Sequence, residues 1–440
     1  MVRNMENETA IEYKNLYTGI FSAYYFIEGM NQSILAVIVP IYLLNILGSI
    51  KPSELTLIAS VVLIPWAIKL IFGILSDKIS IKNFGRRRPW IVGSGFLGGI
   101  IWILIPQFLP QDASAVTFFA IAGFMIMLGV AMGDTALDGL LLDICPKEQL
   151  GRSQGFCWGF RNVGVIAGGP LIAVLIAFVS VEMIFVIFGI LMILFSLLTL
   201  VVKEAQRPAE FEIGTHLKNV FTTGKNWKVF VWAFFDTIVE AVVVLFVALY
   251  LLIQMDFVQP VGATIDLLEE DINLYIPQAN INLIIALGII GGALLGGYVA
   301  DLKSRKIATY LGYVVAISSY LLMIINLGWI MFIVFAIVVG VGFGIRNAAY
   351  AAVLGEVSQK YPEIDSTYYS IGTSMSNLGS TIGLLVVGAM FDILAGFTSD
   401  ILVIYSGIFL FMAIIQVMGP IFFAFIKSEE YELKKIEKKD

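Results

Sequence analysis

Five carboxylates and two guanidinium groups stand inside long apolar stretches of this chain: Glu28, Asp134, Asp138, Asp236 and Glu240, with Arg161 and Arg346. An ionised side chain in hydrocarbon costs about 3 kcal/mol or more unless it is paired, neutralised or facing water. Five acids beside two arginines cannot all remain charged in a low-dielectric interior. At least one of them is therefore expected to bind and release a proton. The only histidine, His216, falls in a polar stretch, so buried proton chemistry is left to carboxylates. Asp134 and Arg161 are equidistant from a turn near residues 147–148, and at 1.5 Å per helical residue each lies about 15 Å below the cytoplasmic ends of the two helices. They are expected to face each other, with Asp138 one turn away on the face of Asp134. Lys69 is shallower and is expected to reach for the aqueous surface along its own stem.

Polar and aromatic neighbours surround these charges. Tyr24, Glu28, Asn31 and Gln32 share one helical face, and Trp232, Asp236 and Glu240 fall at i, i+4 and i+8. Trp158 precedes Arg161 by one turn, Arg346, Asn347 and Tyr350 cluster, and Ser370, Ser374 and Asn377 form a stripe. Carboxylates, amides, hydroxyls, a buried arginine and indole faces together suit a polar organic solute. The residues expected to contact it are Tyr24, Glu28, Asn31, Asp134, Trp158, Arg161, Trp232, Arg346, Tyr350 and Asn377. Proton coupling is assigned to Glu28, Asp134, Asp138, Asp236 and Glu240. No metal cluster, nucleophile triad or phosphate-cradling G-x-x-x-x-G-K-[S/T] loop accompanies them, so no cofactor and no enzymatic activity are expected.

The elements that must hold these residues are membrane helices. Of 440 residues, 59% are hydrophobic and 14% charged, against about a quarter charged in a soluble globule. That excludes a soluble enzyme, and two cysteines, Cys145 and Cys157, are too few for a disulfide scaffold. A net charge of −6 argues against nucleic acid as a partner. Apolar runs at about 17–46, 54–76, 91–108, 115–143, 150–180, 182–202, 227–254, 280–299, 307–327, 328–354, 366–394 and 399–426 number twelve. None alternates as a barrel strand would, and each is near the roughly 20 residues needed to cross a bilayer. The first 16 residues are polar, so no removable signal peptide is expected.

Basic residues collect at every second connection, and between the runs the opposite connections offer only Lys51. By the rule that Lys and Arg accumulate on the cytoplasmic side, both termini are expected inside. The acidic segment 255–279 is read as a solvated outer linker. Residues 1–202 form an expected six-helix bundle, 203–226 a cytoplasmic linker, 227–427 a second bundle and 428–440 a charged tail. Slid over one another, the halves place Glu28 on Asp236, Gly73-x-x-x-Asp77 on Gly297-x-x-x-Asp301, and Asn162-x-Gly164 on Asn377-x-Gly379. Duplicated bundles around a midplane site are a common construction of secondary transporters.

After the second run the chain reads Gly73-Ile-Leu-Ser-Asp77, then Gly85-Arg86-Arg87-Arg88-Pro89; after the eighth it reads Gly297-Tyr-Val-Ala-Asp301-Leu-Lys303-Ser-Arg305-Lys306. These loops resemble the G-x-x-x-D-(R/K)-x-G-R-(R/K) signature of the major facilitator superfamily. The resemblance implies an all-α membrane protein of twelve transmembrane helices in two pseudo-symmetric six-helix bundles. It also implies that Gly73, Asp77, Arg86, Arg87, Gly297, Asp301 and Arg305 gate conformation. Gly155-x8-Gly164-x3-Gly168-Gly169-Pro170 is similar to the glycine/proline motif of the superfamily's drug antiporters. Glu28, Asp134, Arg161 and the G-R-R-R-P-W loop are similar to the glycoside–pentoside–hexuronide and sucrose–proton symporters. That likeness implies sugar contact at Glu28, Asp134 and Arg161, with protons rather than sodium as coupling ion. Asp138-Gly-Leu-Leu-Leu-Asp143 with Gly151-Arg152-x-x-Gly155 resembles the muropeptide and acetyl-CoA permease branch. The resulting expectation is a monomeric, bilayer-embedded symporter of protons and a sugar-like solute. A proton-driven exporter of amphipathic compounds and a non-transporting receptor or assembly factor on the same fold are the rival readings.

Overall fold

A computed structural model of the chain describes residues 13–432 apart from 80, 82–83, 205–212, 269–272, 326 and 362–364. Helix follows helix, because in lipid the backbone must satisfy its own hydrogen bonds. They are α1 (Asn15–Ser33), α2 (Val39–Leu47), α3 (Pro52–Ala67), α4 (Lys69–Lys78), α5 (Arg88–Phe108) and α6 (Ser114–Ile144). Next come α7 (Lys147–Ile166), α8 (Ile172–Leu175), α9 (Val181–Leu198), α10 (Ile213–Thr222), α11 (Gly224–Asp236) and α12 (Glu240–Gln254). The last are α13 (Tyr275–Leu302), α14 (Arg305–Leu322), α15 (Trp329–Ser358), α16 (Asp365–Ala395), α17 (Ile401–Gln416) and α18 (Met418–Phe423).

Joined through their bends, they give eleven helices among the described residues that are long and apolar enough to cross a membrane. The ninth of the twelve sequence runs differs: α14 opens on Arg305 and Lys306 and carries Tyr310, Tyr313 and Tyr320, and it packs on α15 and α17.

Several runs expected as single helices are jointed. A π-helical turn at Ile34–Ile38, just before Pro40, links α1 to α2, and another at Ala167–Leu171, containing Pro170, links α7 to α8. The break at Ile68 between α3 and α4 follows Pro65. Proline removes an amide donor and crowds the preceding turn, which accounts for these bends. The seventh run breaks at Thr237–Val239 with no proline nearby, and α16 is the cause. A Cβ on Gly383 would lie 1.5 Å from Ile238 O, so only glycine admits the displaced backbone. Ser380 Oγ–H donates to Thr237 O at 3.1 Å, satisfying a carbonyl at the break, and Thr237 Oγ1–H ties the joint to Ser376 O at 2.6 Å.

The chain divides into two compact units. The first holds residues Met1–Leu35, Ile71–Leu109 and Met125–Phe211. Within it α1 packs along α7 and α5 along α9. The α1–α7 contact is backbone against backbone, since a Cβ at Gly164 would meet Phe26 O at 2.0 Å and one at Gly29 would meet Arg161 O at 2.0 Å.

The second unit holds Ala36–Leu70, Pro110–Phe124 and Glu212–Asp440. In it α13 and α14 pack on α15, and α3 lies along α16. Here the expectation for 255–279 needs correction. Strands β2 (Val258–Val261) and β3 (Thr264–Leu267) form an antiparallel hairpin, and β1 (Ser49–Ile50) adds to the other edge of β3 through Ser49↔Asp266 and Ile50↔Ile265. Val258 and Ile265 are buried, so this is a sheet anchored on two apolar side chains and not an unstructured linker; strands of two to four residues are too short for a period-two pattern to stand out. Glu269, Glu270 and Asp271 lie outside the described residues.

Gly164→Leu is expected to destabilise the protein by about 2 kcal/mol or more by wedging α1 from α7. Gly155→Leu, whose added Cβ meets nothing within 4 Å, is expected to stay within about 0.5 kcal/mol of wild type. Thermal unfolding of the purified protein checks both.

Candidate functional site

The glycine seam between α1 and α7 brings Glu28 against Arg161. Arg161 Nη2 lies 3.0 Å from Glu28 Oε1, with the carboxylate buried and the guanidinium largely so. The ion pair joins Arg161 to a residue of another helix that the hairpin argument did not reach. Asp134, buried on α6, and Asp138 act on the same guanidinium through space. The Arg161 guanidinium also sits over the Trp158 ring, 4.9 Å from its centroid, a cation–π arrangement. That indole is 53% exposed, an open ring face directly beside a buried ion pair. Tyr25, one residue from the predicted Tyr24, completes the group: its hydroxyl donates to Asp138 Oδ1, and its ring lies 6.1 Å from Trp158. Tyr24 itself meets Ser94 Oγ at 3.5 Å. Asn31 is occupied in a buried hydrogen bond, accepting from Trp102 Nε1–H at 2.8 Å.

The second unit holds a fuller network. Arg346 on α15 is entirely enclosed, and its fork engages three elements. Nε lies 3.5 Å from Asp236 Oδ2, Nη2 is 2.8 Å from Glu240 Oε2, and Nη1–H donates to Gln416 Oε1 at 2.8 Å. Gln416 Nε2–H returns to the backbone at Asp236 O, 3.2 Å away. Asp236 also accepts from Tyr313 Oη–H at 2.5 Å, and Tyr313 accepts from Trp232 Nε1–H at 2.8 Å. The Trp232 and Tyr350 rings pack at 5.2 Å, both inside the core.

The expected i, i+4, i+8 line is corrected by the break in the seventh run. Asp236 is the last residue of α11 and Glu240 the first of α12, so one guanidinium spans the joint. Two carboxyls share that cation. Gln416 and Tyr313 were missed from the sequence; each is a polar group in an apolar run, the same signal that singled out Asp236. Asn377 Nδ2–H reaches Trp66 O at 3.4 Å, at the α3–α4 break, and Lys69 Nζ lies 5.5 Å from the Trp66 ring centroid.

The expected gating residues sit at the basic end of each unit. Arg86 Nη2 lies 2.6 Å and Arg87 Nε 3.5 Å from Asp143 Oδ2, and Arg87 Nη1–H donates to Ser76 Oγ at 2.7 Å. In the second unit Arg305 Nη2 lies 2.7 Å from Glu356 Oε2. Asp143 and Glu356 each stand near the end of a long helix, α6 and α15, so the two pairs correspond. Asp301 is exposed; a Cβ added at Gly73 would meet Thr135 Cγ2 at 3.5 Å, and one at Gly297 would meet open space. Asp77 belongs to α4, and its side chain lies outside those described.

A second correspondence had no sequence forecast. Glu204 folds back on the start of α5, accepting from the amides of Arg86 at 2.8 Å and Arg87 at 2.7 Å. Glu432 does the same at the start of α14, taking the Lys306 amide at 3.2 Å and the Ser304 hydroxyl. Each carboxylate supplies acceptors and negative charge where a helix start presents unpaired amides. Among the described residues no group of three or more His, Cys, Asp or Glu could hold a metal ion.

The family model described as Major Facilitator Superfamily matches residues 21–325 and 257–440. A folate-biopterin transporter of Synechocystis sp. is 28% identical over 179 residues, 40% of this chain and 34% of that protein. The chain thus aligns with about a third of that relative's length. A putative transporter, AmpG 1, of Rickettsia conorii is 24% identical over 349 residues, 76% of this chain and 82% of that protein. The solved structure of the nucleoside transporter NupG superposes with a TM-score of 0.67 at 14% identity, covering 93% of this chain and all of the other, a likeness of fold.

Glu204→Ala is expected to cost about 1 kcal/mol of stability and to speed amide exchange at residues 86–88, with Glu432→Ala doing so at Lys306. Hydrogen–deuterium exchange read by mass spectrometry checks both.

Proposed function

Since the chain belongs to the major facilitator superfamily and is a secondary transporter of that type, we propose that it couples uptake of a polar organic solute to an inward flow of protons by alternating access. The observation that carries this reading is Arg346 held between Asp236 and Glu240 across the break in the seventh span. Proton binding at either carboxyl weakens one of the two holds on Arg346 and changes what stiffens the joint. A midplane discontinuity flanked by ionisable groups is a site where a coupling ion acts on backbone geometry. We assign Arg346, Trp232 and Tyr350 to this coupling set, because all three are enclosed.

Solute contact is assigned to the first unit, where Trp158 offers an open ring and the Glu28–Arg161 pair offers hydrogen bonds to a ring edge. A sugar suits this arrangement, with its C–H face on the indole and its hydroxyls on the charged pair. A second reading, a pteridine ring, draws support from the name of the Synechocystis relative and from the same exposed indole. The alternation of basic residues supports placing both termini in the cytoplasm.

Proteoliposomes with an inward proton gradient are expected to accumulate one of a panel of labelled sugars, pteridines and nucleosides. Glu28→Gln is expected to lower uptake about tenfold or more, a loss of about 1.4 kcal/mol or greater. Asp236→Asn is expected to abolish gradient-driven accumulation while solute exchange persists. Unchanged accumulation in both variants refutes proton coupling through these groups, and solute expelled against the gradient identifies an exporter.

A further inference from the structure

At the basic end of the second unit, the start of α11 and the ends of α15 and α18 frame an open cleft. Four lysines line it, Lys225, Lys228, Lys360 and Lys427, against one carboxylate, Glu430. Glu430 is already engaged: Lys360 forms an ion pair with it, and Lys225 Nζ lies 3.7 Å away. The hydrogen bond from Lys360 and the two ammonium charges hold the Glu430 carboxyl below the usual carboxylate range, so it stays ionised and keeps those two lysines. Lys228 and Lys427 form no ion pair among the described residues. Two ammonium groups therefore line a concave surface with their charge unspent. α11 begins in the same cleft, and Thr223 gives it no side-chain cap, so the positive end of that helix adds to the field.

The cleft also has an apolar side. Phe425, in its wall, is 57% exposed. Immediately beside Lys225 and Lys228, Trp227 is exposed, donates its indole N–H to Phe221 O at 2.8 Å and packs its ring 6.0 Å from that of Phe221. Exposed indole and phenyl rings of this kind mark the level at which a helix passes from acyl chains to headgroups. A ligand seated here meets cations on one side and hydrocarbon on the other. We propose that this cleft binds the headgroup phosphate of an anionic phospholipid, with Lys228 and Lys427 on the phosphate and Phe425 along the first methylenes. A soluble phosphate ester shares the charge chemistry but makes no use of the apolar wall. Basic pockets between transmembrane helices on the cytoplasmic face suit such headgroups.

The test uses the full chain, delipidated in a neutral detergent, with native mass spectrometry and thermal unfolding as readouts. Phosphatidylglycerol is expected to be retained and to raise the unfolding temperature, and phosphatidylcholine, inorganic phosphate and glycerol 3-phosphate are not. The double variant Lys228→Gln/Lys427→Gln is expected to bind phosphatidylglycerol about tenfold more weakly. A control pair at the basic end of the first unit, Lys14→Gln/Lys203→Gln, is expected to bind it as wild type does. Unfolding of each lipid-free variant at the wild-type temperature confirms that the substitutions leave the fold intact. Equal retention by the double variant, or no preference for phosphatidylglycerol over phosphatidylcholine in wild type, overturns the proposal. Protection by inorganic phosphate or glycerol 3-phosphate equal to that by phosphatidylglycerol overturns the lipid assignment.

Discussion

A charged group withdrawn from water must find its counter-charge, and that demand organises the interior of both units. Removing one partner from a buried ion pair costs about 3–5 kcal/mol, because the other charge is left behind. Arg346 meets the demand with Asp236, Glu240 and Gln416, which lie on α11, α12 and α17. A single planar fork with five donors thereby ties three helical segments to α15. Arg161 meets it with Glu28 and with the indole face of Trp158, and it can do so only because glycines let α1 and α7 come within backbone contact.

Two of the joints in the helices fall beside charged residues. Thr237–Val239 interrupts the span between Asp236 and Glu240; its backbone carbonyl Thr237 O accepts from Ser380 Oγ–H of α16, and the Thr237 hydroxyl donates to Ser376 O. The α3–α4 break stands beside Lys69, and Asn377 of α16 reaches Trp66 O there. Irregular backbone at membrane depth is tolerated when protein groups replace the lost helical bonds, and α16 supplies them at both places.

At the basic ends the same construction appears twice. An arginine at or just before the start of a helix pairs with an acid near the end of the next long one, and a carboxylate from beyond the last helix of the half caps the first helix's amides. Glu204 and Glu432 belong to segments that sequence reading treats as a linker and a tail. Their structural work is to secure the starts of α5 and α14, where the basic clusters Arg86–Arg88 and Arg305–Lys306 stand.

Composition and spacing were sufficient to identify an all-α membrane protein, to find the apolar runs and to pick out the ionisable residues within them, because hydrocarbon makes each such residue conspicuous. Glu28, Arg161, Asp236, Glu240 and Arg346 were all visible in that way. Who pairs with whom was not. Counting from the 147–148 turn set Asp134 opposite Arg161 but did not reach Glu28, whose ion pair with Arg161 depends on close packing at Gly29 and Gly164. Likewise no local signal announces the break after Asp236, since its cause, Gly383 with Ser376 and Ser380, lies on another helix. Burial of charge is a property of one segment and is written in it; partnership is a property of two surfaces, and only their packing decides it.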